Sequence, residues 1–209
     1  MKRVLYVVAV AALSVAGVFA QPPAQPPAGG GQMPAQRGGQ MPGQGQKIGL
    51  ATSLQRAYAT FKTNFTQAAE KMPEADYTFK PGSTPEARPY SAVIAHIAQA
   101  QNGQCSALKG VPSPTAGKNL EQELKTKAEV TKALADSFAL CDELFSQLTD
   151  ANATEMVKQG NNEMTRAAAL YGLIVHGNEM AGTAYVYLRS KNIVPPSTEN
   201  ALRGMRGRG

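Results

Sequence analysis

Residues 120–148 read LEQELKTKAEVTKALADSFALCDELFSQL, and their apolar positions recur every three or four residues. Leu120, Leu124, Thr131, Leu134, Phe138, Cys141, Phe145 and Leu148 form one stripe of an amphipathic helix, the period of an element that buries one side. Lys127 interrupts the stripe, and its long stem can carry the ammonium out to solvent. Asn119 stands before the run as an N-cap, with Gln122 placed for a capping box.

Three further segments carry the same period. The first has Leu50, Leu54, Ala57, Phe61, Ala68 and Met72, with Tyr58 and Phe65 beside them, and stops at Pro73. The second follows a proline-rich loop, takes Ser91 as N-cap, turns Val93, His96, Ile97, Ala100, Gln104 and Leu108 inward, and ends at Gly110. The last begins after Thr165 and places Ala169, Leu173, His176, Met180, Ala184 and Tyr187 on one face. Asn192 closes it in a left-handed conformation, and Pro195-Pro196 prevents continuation. No segment alternates as a strand does, so the expected fold class is all-α, a four-helix bundle.

Cys105 and Cys141 bear on the topology. If helices 2 and 3 formed an antiparallel hairpin, the two sulfurs would stand roughly 33 Å apart along the axis at 1.5 Å per residue. Bridged cysteines need Cα atoms within about 7 Å. Parallel helices reduce the mismatch to roughly 10 Å, and the connection from Gly110 to Lys118 spans at most about 30 Å when extended. A disulfide therefore implies an up-down-down-up bundle. Two separate buried thiols are the alternative.

The ends differ from the middle in composition. Lys2 and Arg3 precede an almost unbroken apolar run from Val4 to Val18, and Val18-Phe19-Ala20 supplies small residues at a cleavage site. Residues 1–20 are thus expected to be a Sec-type signal peptide cut after Ala20, which places the protein in a bacterial periplasm or outside the cell. Residues 21–46, rich in Gln, Pro and Gly, are expected to be a disordered linker. The folded domain is expected over 47–197, with a flexible basic tail over 198–209.

The net charge is +6, but residues 48–196 hold fourteen basic and fourteen acidic side chains. The surplus lies in the ends, so no basic face marks nucleic-acid binding. No later stretch is apolar enough for stable membrane insertion. The glycines do not form a phosphate loop, and no nucleophile elbow is present.

The only histidines in the sequence are His96 and His176. Each falls on the inward stripe of a different helix, where facing helices can build a metal site. The stretches YTFKP (77–81), AHIAQAQ (95–101), CSALKG (105–110) and HGNEMAGTAYVYLRSKNIVPPS (176–197) resemble the DinB-like superfamily, in particular its exported members of unassigned function. That resemblance implies the up-down-down-up bundle. It also implies a divalent metal, commonly zinc or nickel, held by three histidines, one in helix 2 and two spaced by four in helix 4. His96 matches the first and His176 the second. The third position is Met180, with Glu179 as the substitute at hand. Three readings follow. The site is degenerate; or it holds metal through His96, His176 and Met180, Glu179 or water; or it prefers Cu(I), the softer ion a thioether suits. By resemblance the chemistry is of hydrolase or transferase type on an unidentified small molecule, and homodimers are common. The alternative is a non-catalytic binding or scaffold domain.

Overall fold

The computed structural model describes residues 47–206. The expected signal peptide and linker lie outside the described residues. Four long helices carry the fold: α1 (Leu50–Lys71), α2 (Tyr90–Lys109), α4 (Lys127–Ser146) and α5 (Arg166–Ser190). A short helix, α3 (Leu120–Glu123), lies on the connection between α2 and α4. A hairpin of β1 (Met156–Gln159) and β2 (Asn162–Thr165) precedes α5, and α6 (Pro196–Arg206) follows it.

The side-chain bonds fix the directions. Between α2 and α4, Gln101 accepts from Ser137, Cys105 is bonded to Cys141 and Lys109 pairs with Glu143. Positions rise together on both helices, so they run parallel. Between α1 and α4 the order reverses. Gln55 donates to the Phe145 carbonyl, Tyr58 to that of Phe138, and Lys127 to those of Glu70 and Met72. Between α2 and α5, Arg88 just before α2 lies beside Tyr187, and His96 lies beside His176, again antiparallel. The bundle is up-down-down-up, as the sequence led us to expect.

The disulfide closes with a Cα–Cα distance of 5.4 Å, and a correction to the third helix explains how. The run from Leu120 is not one helix. It breaks between Glu123 and Lys127 because Thr126 forms a full capping box with Glu129, a stronger start than Asn119 provides. Cys105 is then fifteen residues past Tyr90 and Cys141 fourteen past Lys127. The two sulfurs sit at one height and the mismatch disappears. Lys127 also departs from expectation: it reaches the last carbonyls of α1, satisfying acceptors that a helix C-terminus leaves free.

Three other expectations are corrected. Ser91 is not the N-cap of α2; Pro89 is, and Ser91 is buried within the first turn with its amide on the Tyr77 carbonyl. Residues 156–165, where no strand was expected, form the two-stranded hairpin. Its turn is Gly160-Asn161, with Gly160 at φ 62°, where a two-residue turn favours glycine. The basic tail is helical from Pro196 to Arg206, because Pro196 occupies a first-turn position whose missing N–H costs nothing. Lys71 bonds Glu199 and Asn200 donates to Asn64 and Gln67, which holds α6 on α1.

The core is continuous, from Leu54, Phe61 and Phe65 on α1 through Ile94 and Ile97 on α2 and Leu134 and Phe138 on α4 to Leu170 and Leu188 on α5. Tyr58 stacks on Phe145 at 3.8 Å between ring centres. A β-carbon at Gly177 would overlap the Phe61 ring, so the glycine lets α5 approach α1 just after His176. The buried Tyr77 and Tyr90 hydroxyls donate to the Ala69 and Ala68 carbonyls of α1. Burial pushes the pKa values of Tyr58, Tyr77 and Tyr90 well above the ordinary phenol range, since a charged phenolate would lose its water.

Candidate metal centre

His96 lies in the second turn of α2 and His176 near the middle of α5. Their helices are antiparallel neighbours, so the rings meet across the seam, with centroids 5.1 Å apart and planes at 73°. The two Nε2 atoms are 3.1 Å apart. Both side chains keep part of their surface open, 26% for His96 and 33% for His176. The pair is at the edge of the core, within reach of solvent.

The opposite ring nitrogens face carboxylates. Nδ1 of His96 is 2.6 Å from Oε1 of Glu121, and Nδ1 of His176 is 3.4 Å from Oε2 of Glu179. A carboxylate accepts and does not donate, so the Glu121 bond places a proton on Nδ1 of His96, and Glu179 favours the same for His176. In the neutral rings both Nε2 lone pairs then point at each other. Two lone pairs at this distance repel unless a cation or a shared proton lies between them.

Glu121 comes from α3, outside the four main helices. The connection is fastened to α2: the Gln99 side chain donates to the Lys118 carbonyl and accepts from the Leu120 amide. Leu120 packs on Ala95 and Ala98. This fastening sets Glu121 against His96, and Nε of Arg88 is 3.5 Å from its other oxygen. Neither Glu121 nor Arg88 was singled out from the sequence. No spacing links a residue of the connection to one 25 positions earlier.

Met180 follows His176 by one turn and is buried, 8% exposed. It lines a cleft of about 250 Å³ with Glu86, Ala87, Arg88, Val93, Thr183 and Tyr187. Glu179 is largely exposed and stands on the Nδ1 side of His176, away from the point where the two Nε2 atoms converge. Among the described residues no three His, Cys, Asp or Glu side chains are grouped as for a metal ion. Cys105 and Cys141 lie in the core, bonded to each other.

Tetrahedral zinc with bonds of 2.0–2.1 Å separates two nitrogen ligands by roughly 3.3 Å, and ligands on opposite sides of an ion by about 4 Å. The observed 3.1 Å fits adjacent corners. The carboxylates behind the rings fit too, since metal-binding imidazoles usually donate their other N–H to such a group. The donor set supplies two nitrogens.

Solved structures share the fold, and three of them compare as follows. A DinB-like protein from Bacillus cereus has 16% identity and a TM-score of 0.58, over 69% of this chain and 95% of that one. A conserved protein from Enterococcus faecalis has 16% identity and a TM-score of 0.54, over 68% and 97%. A DinB-like protein from Bacillus subtilis has 18% identity and a TM-score of 0.50, over 67% and 92%. No curated protein matches the sequence. The family model of the DinB superfamily matches residues 57–183, a segment that holds both histidines, the disulfide and most of the four long helices, and this chain belongs to that superfamily.

Proposed function

We propose that the protein binds a divalent transition metal, zinc or nickel, through Nε2 of His96 and Nε2 of His176. Met180 takes the third position of the family's triad and water completes the shell. The observation that carries this reading is the 3.1 Å approach of two imidazole nitrogens whose partner nitrogens both face carboxylates. Local charge agrees: Glu121 and Glu179 face the two rings, with Arg88 beside Glu121 as an opposing charge.

A bound ion would supply Lewis acidity of the kind used in hydrolytic and group-transfer chemistry. The chain's own residues do the rest. Glu121 holds the His96 ring and its Nδ1 proton. Arg88 steadies Glu121 and borders the adjoining cleft. Met180 and Val93 give that cleft an apolar wall. We further propose export, supported by the signal-like residues 1–20 and by a buried disulfide, a bond at home in oxidising compartments. The Gln/Pro/Gly-rich segment would then act as a tether for the domain.

A second reading, a binding or scaffold domain without catalysis, is favoured by the two-nitrogen donor set, one short of the usual three protein ligands of catalytic zinc. Elemental analysis of protein purified without chelator or affinity tag separates the two, with His176→Ala as control. Near-stoichiometric metal that is lost in the control supports the metal centre. Absence of metal after incubation with zinc, nickel and Cu(I) would turn the assignment to the binding domain.

A further inference from the structure

The cleft beside the imidazole pair has a feature that the metal does not explain. Its rim carries two charges of opposite sign, Glu86 and Arg88. Among the described residues Glu86 has no ion pair or hydrogen bond. The Arg88 guanidinium has only the 3.5 Å approach to Glu121, which leaves most of its five N–H donors free. The Arg88 backbone, by contrast, is held in place: its carbonyl accepts from the Tyr187 hydroxyl at 2.7 Å, so the charged rim is fixed to α5. Between the charges and the core lie Val93, Met180, Ala87 and the Tyr187 ring, an apolar floor. At about 250 Å³ the space is below the 300–1,000 Å³ usual for drug-sized ligands, and suits a molecule the size of one amino acid.

Charge selects the class of ligand. A simple anion drawn to Arg88 meets Glu86 beside it, with Glu121 behind. A simple cation drawn to Glu86 meets Arg88. A molecule that carries both charges a few bonds apart satisfies both groups, and like-charge contact rejects the others. We propose that this cleft binds a small zwitterion of the α-amino-acid type, its carboxylate on Arg88, its ammonium on Glu86 and an apolar side chain over Val93 and Met180.

The test uses the full chain, dialysed against chelator and then against plain buffer, so that its result does not depend on the metal. Calorimetric titrations with L-leucine, N-acetyl-L-leucine and L-leucinamide compare the zwitterion with its two singly charged relatives. Charged hydrogen bonds contribute about 1.5–3 kcal/mol, so the two relatives should bind roughly tenfold or more weakly than leucine. Glu86→Gln should weaken leucine and, by removing the like charge, strengthen N-acetyl-leucine. Arg88→Ala should weaken leucine and, for the same reason, strengthen leucinamide. Both residues are exposed, and an unchanged melting transition checks that the fold persists. The proposal is overturned if leucine shows no saturable binding, if the variants affect all three probes alike, or if binding appears only after zinc is added, which would mean direct ligation to the ion.

Discussion

Nε2 of His96 and Nε2 of His176 lie 3.1 Å apart, although the residues are separated by 80 positions and belong to helices that run in opposite directions. Two neutral rings would not choose this approach in isolation. It follows from the packing of α2 on α5 and from the carboxylates behind the rings, and it leaves a place where positive charge is favoured.

Glu121 should therefore act on metal affinity through His96. Replacing it by Ala should weaken zinc binding by about 10–100-fold, while Gln, which keeps an acceptor for the Nδ1–H, should cost less. Nitrogen chemical shifts of the His96 ring should show Nδ1 protonated in the parent and a mixture of tautomers in Glu121→Ala. Unchanged affinity and unchanged shifts in the Ala variant would rule out this role.

Met180→His would add a nitrogen at the position proposed for the third ligand. If α5 presents that position to the imidazole pair, zinc affinity should rise by at least about tenfold, or about 1.4 kcal/mol. Competition titration against a chromophoric chelator measures it. No gain would show that position 180 points away from the point of convergence, and Met180 would then be a wall of the cleft only.

The buried tyrosines predict an alkaline limit. Tyr58, Tyr77 and Tyr90 hold their protons in the folded chain beyond the ordinary value of 10.0, chiefly through burial. The unfolded chain loses them first, so the stability they add is complete below about pH 10 and declines as pH rises through the folded values. Each contributes at most about 1.4 kcal/mol per pH unit. Urea unfolding from about pH 9 to about pH 11 should show the loss beginning near pH 10, with tyrosinate absorbance appearing together with unfolding. Tyrosinate that appears first, in folded protein, would refute it.

The Cys105–Cys141 bond encloses a sequence separation of 36 residues. On the chain-entropy model such a loop stabilises the fold by about 4 kcal/mol. The double variant Cys105→Ala/Cys141→Ala should lose an amount of this order in urea unfolding while keeping its helical circular dichroism. A loss below about 1 kcal/mol would mean that α2 and α4 are held parallel almost wholly by their packing.

The bundle was readable because its signals are local or periodic. The apolar stripes located the long helices, and the positions of two cysteines pointed to parallel neighbours on the condition that the two are bonded. His96 and His176 were legible as a pair because each falls on an inward stripe. What escaped was decided by competition between neighbours. Thr126 with Glu129 outcompeted the continuous pattern from Leu120 and broke the helix, and Pro196 restarted one in a polar tail. The hairpin was hidden because its strands are short and half-exposed, which leaves little hydrophobic alternation to detect. Glu121 and Arg88 were invisible for a different reason: their role arises when the connection folds back on α2, a tertiary event with no spacing of its own.

That connection has a consequence for how such a protein changes over time. In a bundle of hairpins every link is a short turn, and a centre between the helices can be adjusted only by altering the core. Here the return path from Gly110 to Thr126 runs over the bundle, anchored chiefly by Leu120, and carries the carboxylate that orients His96. Insertions and substitutions are tolerated more readily on such a surface segment than within packed helices. The grip on His96 is thereby open to mutational tuning at little risk to folding, and relatives with the same four helices but different return paths are free to diverge in what they bind.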